Sequence, residues 1–237
     1  MKLATKKKAV GVVITAFLLT LFTLPASAQK KSRSEDAARH ARDAAQVFTQ
    51  IMNIREKAIP KELLDKAEAI AVFPGVVKAA FIFGGKGGQG VISRRIRGGW
   101  SAPVFFNLGG GSFGAQIGAS KTDYVFLIMN QDGLDSLMKD KIELGGEVGV
   151  AAGPVGREAA ASTDTRLTAG ILSYSRTKGA FIGAALKGAV IAPDNDLNEA
   201  IYGKKAKDVF AAKPMTLNEM PAEVRIFSRT LTRYSVR

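Results

Sequence analysis

Of the 25 glycines in this 237-residue chain, 23 fall between Gly75 and Gly188. That concentration constrains the fold more than any other feature. Glycine weakens a helix interior and supplies what tight turns, bulges and close backbone approaches need. Between the glycines, apolar residues recur at every second position. Segments 69–73, 77–83, 90–96, 102–108, 113–120 and 123–130 therefore read as short strands separated by Pro or Gly. Six strands in roughly sixty residues leave no room for parallel crossovers. After a short helix over 132–139, further strands are expected at 143–151, 157–162, 167–175 and 181–191. The predicted class is α+β: an antiparallel, Gly-rich, barrel-like β core with flanking amphipathic helices at both ends.

Periodicity changes outside that core. Ser32 and Glu35 have capping-box spacing, and Ala37, Ala41, Ala44, Ala45, Phe48, Ile51 and Met52 recur at steps of three and four. These predict an amphipathic helix over 34–57, able to lie on the sheet or on a membrane. Pro60 suits the first turn of a short helix over 61–67. Asp194 is placed to cap a helix ending at Tyr202-Gly203, and Thr216 with Glu219 repeats the capping-box spacing before a last helix. There Arg225, Arg229, Arg233 and Arg237 follow at intervals of four, with Val224, Phe227, Leu231 and Tyr234 on the other side.

The first 28 residues have the pattern of a secretory signal peptide. Lys2, Lys6, Lys7 and Lys8 precede an uncharged, mostly apolar run, and Ala26-Ser27-Ala28 supplies small residues for cleavage. The expected organisation is 1–28 signal peptide, 29–58 amphipathic helix and 59–237 binding domain. The expected location is exported and periplasmic, peripherally associated with the membrane. The chain has 34 Lys and Arg against 21 Asp and Glu, a formal charge of +13, which calls for an anionic partner. With no Cys and one His, disulfides, thiolate chemistry, Cys-based zinc sites and multi-His metal centres are excluded.

Several motif matches fail on context. Gly85 to Gly90 and Gly109 to Gly114 both satisfy GxGxxG, yet each runs into a strand pattern where a dinucleotide site needs a helix. Gly110-Gly111-Ser112-Phe113-Gly114 matches a nucleophile elbow, but the single histidine, His40, lies far before it. Asp194-Asn195-Asp196-Leu197-Asn198 starts like a calcium loop and then has Glu199 and Lys205 where Gly and Glu are required. The expectation is a protein that is not an enzyme and needs no cofactor.

Lys78, Lys86, Arg94, Arg95 and Arg97 come within twenty positions with no acid between them, and lead into Trp100, the only tryptophan. Lys and Arg there suit phosphate, Arg in bidentate fashion. Trp100 suits either a lipid interface or the core.

The ordered blocks Ile59-Pro60 with Leu63-Leu64, Phe73-Pro74-Gly75-Val76-Val77-Lys78, Gly85-Lys86-Gly87-Gly88-Gln89-Gly90, Gly99-Trp100-Ser101-Ala102-Pro103, Ala152-Gly153-Pro154-Val155-Gly156, Ser173-Tyr174-Ser175 and Leu186-Lys187-Gly188 together resemble the SYLF domain family. The resemblance runs from about Ile59 to Gly203. It implies a non-enzymatic domain that binds anionic phospholipid or a membrane surface, with an amphipathic N-terminal helix and basic residues contributing. Chemistry then selects Lys78, Lys86, Arg94, Arg97 and Lys187 for phosphate and Trp100 for the interface. Nucleic acid is not expected, since no aromatic RNA-binding signature is present, and protein partners stay unspecified. The alternative is a structural or assembly protein of the cell envelope that binds an acidic polymer or a partner protein.

Overall fold

A computed structural model describes residues 26–54, 58–80, 83–113, 118–146, 148–156, 169–177, 180–183, 186 and 188–235. Most of the segment expected to be a signal peptide, the strand expected at 157–162, Lys187 and Arg237 lie outside them.

The elements in chain order are α1 (Ala26–Met52), α2 (Lys61–Lys66), β1 (Ala69–Ala80), β2 (Phe83–Ile96), β3 (Gly99–Trp100), β4 (Val104–Phe113), β5 (Gly118–Ile128), α3 (Gln131–Ser136), β6 (Ile142–Glu143), β7 (Val150–Ala152), β8 (Ile171–Thr177), β9 (Ala180–Gly183), β10 (Val190–Pro193), α4 (Asn195–Tyr202), α5 (Ala206–Ala211) and α6 (Arg225–Tyr234). The strands form one curled sheet in the order β6-β10-β4-β2-β1-β5-β8-β7, with β3 beside β2 and β9 beside β8. The class is α+β, a half-barrel with flanking helices. Pairing is antiparallel except between β7 and β8, which run parallel.

The strands expected at 69–73 and 77–83 are one strand, β1, with a register shift between Phe73 and Val76 against β5. Pro74 and Gly75 occupy this bulge, and Gly75 takes φ 56°. On β2 the same irregularity leaves no room for a side chain. A Cβ at Gly90 would stand 2.3 Å from the Val72 carbonyl oxygen. Gly88 and Gly90 therefore do not break the strand: they let β2 follow the bulge of its neighbour.

Both faces of the sheet are covered where the helices lie. On one side Ile70, Val72, Val91, Phe105, Val125 and Leu127 pack against Ala37, Ala41, Ala44 and Phe48 of α1, Leu64 of α2 and Phe227 and Leu231 of α6. On the other, Ala71, Phe73, Ile92, Phe106, Phe126 and Ile128 meet Leu134 of α3 and Ala206 and Phe210 of α5. Small alanines let α1 come close to the strands.

Helix α1 starts at Ala26, ahead of the expected 34, and stops at Met52. No Gly or Pro stands between Ala26 and Ser34, so Ser32 lies inside the helix and is not its cap. Asp194 does cap α4, accepting from the Leu197 amide at 3.1 Å, and Gly203 closes that helix at φ 65°. Thr216 and Glu219 form their bond, 2.7 Å from the Thr216 amide to Glu219 Oε2, within a turn. Pro221 then intervenes, and α6 begins only at Arg225.

Candidate binding surfaces

The basic residues grouped in sequence divide into separate places. Lys86 and Arg94 sit on the same strand eight residues apart, which at about 3.3 Å per residue puts them roughly 26 Å from each other. Arg94 is half-buried near the start of β3. Its amide donates to Ser101 Oγ at 3.0 Å and its Nη2 to the Ala212 carbonyl at 3.4 Å. Arg97 is exposed at the β2–β3 turn, beside Gly98 at φ 79°.

Trp100 is 1% exposed and belongs to the core. Its Nε1 donates to the Ser235 carbonyl at 3.0 Å, and the Arg95 guanidinium carbon stands 4.2 Å from the ring centroid. Arg95 also donates from Nε to the Ala67 carbonyl at 2.8 Å and from Nη2 to Ser235 Oγ at 3.0 Å. Trp100 and Arg95 thus tie β2 and β3 to the end of α2 and to the residue after α6. The interfacial role expected for Trp100 is corrected: a ring sealed by these contacts has no surface to offer a lipid.

Lys78 and Lys86 do come together. They are opposite partners across β1 and β2, in a rung continued by Ser120 on β5 and Gly110 on β4. Lys78 is exposed. Lys86 lies lower, its stem over Gly110, where a Cβ would stand 2.8 Å from Lys86 Cε. Burial, and then the charge of Lys78, hold the Lys86 ammonium below the usual lysine pKa. Val77, one residue along β1, is 43% exposed and is the partner of Lys121 on β5. Across β1, β2, β4 and β5 the one acid is Asp123. It accepts from Arg176 Nη2 at 2.6 Å and from the Gly75 amide at 2.8 Å, and so neutralises neither lysine.

A second basic surface was not singled out as a site from sequence. Helices α1 and α6 lie side by side, with Phe48 edge-on to Tyr234 at 5.8 Å between ring centroids. On their outer side runs a groove of about 540 Å³, lined by Arg42, Gln46 and Gln50 of α1 and Ile226, Arg229 and Arg233 of α6, among others, with no acid in its walls. Arg225, the first of the terminal stripe, is turned away and donates to the Met220 carbonyl at 2.7 Å. The i, i+4 arginine spacing was visible in the sequence. The opposing Arg42 belongs to a helix some 190 residues earlier and was not.

No group of three or more His, Cys, Asp or Glu able to hold a metal ion occurs among the described residues. Nor is any described helix long and apolar enough to cross a membrane.

The fold is an α+β half-barrel under helices, with cations on its surface. The family model described as Ysc84, Las17-binding protein actin regulator, matches residues 109–234, more than half of the chain, and the chain belongs to that family. The resemblance to SYLF domains is thereby borne out. The chain is 38% identical over 152 residues to LAS seventeen-binding protein 3 of Saccharomyces cerevisiae, covering 62% of this chain and 33% of the yeast protein. To SH3 domain-containing YSC84-like protein 1 it is 30% identical over 182 residues in Xenopus laevis, and 29% over 180 residues in Homo sapiens. Those alignments cover 76% and 75% of this chain and 53% and 52% of the relatives. The chain thus spans a third to about half the length of the curated relatives it matches. Their names are those of binding proteins, not of enzymes.

These relatives overturn one expectation. A periplasmic location does not agree with a family described as an actin regulator, whose matched members are yeast and vertebrate proteins. The exported, periplasmic assignment and the cell-envelope setting of the alternative reading are withdrawn.

Proposed function

We propose that the chain is a non-enzymatic binding module that engages anionic phospholipid, and that Lys78 and Lys86 make the contact. The observation that carries this reading is the Lys78–Lys86 pair itself: two cations opposite each other on one face of the sheet, with Asp123, the one acid on the four central strands, bonded to Arg176 and Gly75 instead. Like charges directly opposite in a sheet are destabilising, so the fold gains nothing from the pair, whereas a phosphate between them would relieve the repulsion. Trp100 has no part in the contact. Arg94, at the other end of β2, and Arg97, in the turn after it, take no part in the contact.

Vesicle co-sedimentation tests it. Each engaged lysine contributes about 1 kcal/mol near an anionic surface. The Lys78→Gln, Lys86→Gln double variant is therefore expected to bind phosphatidylserine-rich vesicles roughly thirtyfold more weakly, and Arg94→Gln with Arg97→Gln to change little. Binding should fall with salt and be weak on phosphatidylcholine alone. Equal binding of the two vesicle types, insensitive to salt, overturns the reading. Loss in the arginine variant alone moves the contact to the other end of β2.

A further inference from the structure

The groove between α1 and α6 has a different shape and a different charge chemistry from the lysine pair. Several other arginines among the described residues are engaged. Arg33 meets Asp196 at 2.7 Å, Arg39 meets Asp36 at 2.7 Å, and Arg176 meets Asp123 at 2.6 Å. Arg95 and Arg225 donate to backbone carbonyls. Arg42, Arg229 and Arg233 instead converge on one groove, and none of the three has an acidic partner among the described residues. Three unpaired guanidinium groups facing one space repel each other, and packing does not demand them, since all three side chains are exposed.

We infer that this groove is a docking site for an acidic amphipathic helix of a protein partner. Three features of the groove select that occupant. Arg229 and Arg233 are four residues apart on α6, and neighbours at that spacing on a helix stand about 5–6 Å apart. Glu residues at i and i+4 on a docking helix repeat the same interval, so two carboxylates meet two guanidinium forks, each able to bond in bidentate fashion. Between the cations lies apolar surface. Ile226 is 40% exposed, and Ala45 is part of the floor. An aliphatic side chain between the two Glu would bury there, while Gln46, Gln50 and Thr230 offer hydrogen bonds along the walls. Finally, the site is concave. A bilayer is flat and reaches the rim of a groove, whereas a helix can lie along it. The inference is independent of the lipid reading, since it concerns other residues on other elements.

The test titrates the full chain against a fluorescein-labelled amphipathic peptide helix with Glu at i and i+4 and Leu between them, followed by anisotropy. The control peptide carries Lys in place of Glu. The expected result is saturable binding of the acidic peptide only. It should weaken roughly tenfold in Arg229→Gln, Arg233→Gln, weaken less in Arg42→Gln, and stay unchanged in Lys78→Gln, Lys86→Gln. Should the double Gln variant fail to fold, Arg229→Lys, Arg233→Lys keeps the charge and removes the fork, and a several-fold loss is expected from it.

Unchanged binding in the folded arginine variants overturns the inference, as does equal binding of the Lys peptide. Two further measurements separate the other anions. If inorganic pyrophosphate displaces the peptide completely at equal concentration, the groove is a phosphate site and no helix groove. If the arginine variants lose phosphatidylserine vesicles and keep the peptide, the groove is a membrane contact. Either result sinks the protein-docking proposal and leaves the lysine-pair experiment to be judged separately.

Discussion

The four central strands are built alike as hydrogen-bonded ladders and unlike as side-chain surfaces. At one end, residues 69–73, 91–92, 104–106 and 125–128 are buried from both faces, between the helices of the N- and C-terminal regions on one side and α3 and α5 on the other. At the other end the same strands carry Val77, Lys78, Gly85, Lys86, Gly87, Gly111, Ser120 and Lys121, all exposed or half-buried. Backbone pairing runs on through both ends, from Ala69 opposite Arg94 to Ala80 opposite Gly84. What differs is the demand made on each side chain. In the packed half, volume and apolarity decide which residue fits. In the outer half Val77, Lys78, Ser120 and Lys121 are exposed, so packing demands less of the residues there.

The largest effect should come from the packed half. Trp100→Ala empties the space of a buried indole and leaves the Ser235 carbonyl without its donor. A loss of about 3–5 kcal/mol is expected from a truncation of that size, measured by urea unfolding. A loss below about 1 kcal/mol would mean that the closure of β3 on the last helix is not part of the cooperative fold, and the comparison between the two ends would break there.

A pair of glycines three residues apart on β2 sharpens it next. A Cβ at Gly90 would stand 2.3 Å from the Val72 carbonyl oxygen and 2.5 Å from the Phe73 ring, whereas Gly87 has nothing within 4 Å. Gly90→Ala is expected to cost about 1–3 kcal/mol, as overpacking does, and Gly87→Ala less than about 0.5 kcal/mol, as surface substitutions do. Equal costs at the two positions would show that the bulge yields easily and that the glycine content of the strand is not set by close approach.

These cases mark what a single sequence discloses. Short apolar runs at 69–73 and 124–128 betrayed strands because a side chain must be chosen for every buried position. Residues 84–90 carry almost no such choices, so the continuation of β2 through them was invisible, while on β1 two strands were read at 69–73 and 77–83 where one bulged strand runs. Trp100 gave no sign of its direction: a lone aromatic in a Gly-rich stretch has the same local pattern whether it faces lipid or core, and only its bond to Ser235 distinguishes them. Lys78 and Lys86 were picked for charge and do meet. Arg94 and Arg97 were picked on the same ground and lie elsewhere, because nearness in sequence along a strand becomes distance in space. The arginine groove needed Arg42 and Arg229 to face one another, and that depends on how two distant helices dock.

The smallest effect is the most discriminating, because function and stability should move in opposite directions. Lys86 titrates below the usual lysine value because it is partly buried and because Lys78 stands opposite. Folding therefore favours its neutral form. In the window between its folded value and the ordinary lysine value, the unfolded chain holds the proton more tightly, and stability rises with pH through that window. Below the window the cost of keeping Lys86 charged is present in full. Lys78→Gln removes the second cause and leaves the first. The melting temperature at neutral pH should then rise by about a degree, the scale of a relieved like-charge pair across a sheet, and the alkaline gain in stability should shrink. Binding to phosphatidylserine vesicles should weaken in the same variant. A variant that melts earlier and binds as before would mean that Lys78 supports the strand rather than a ligand, and the distal end would then be as structural as the packed one.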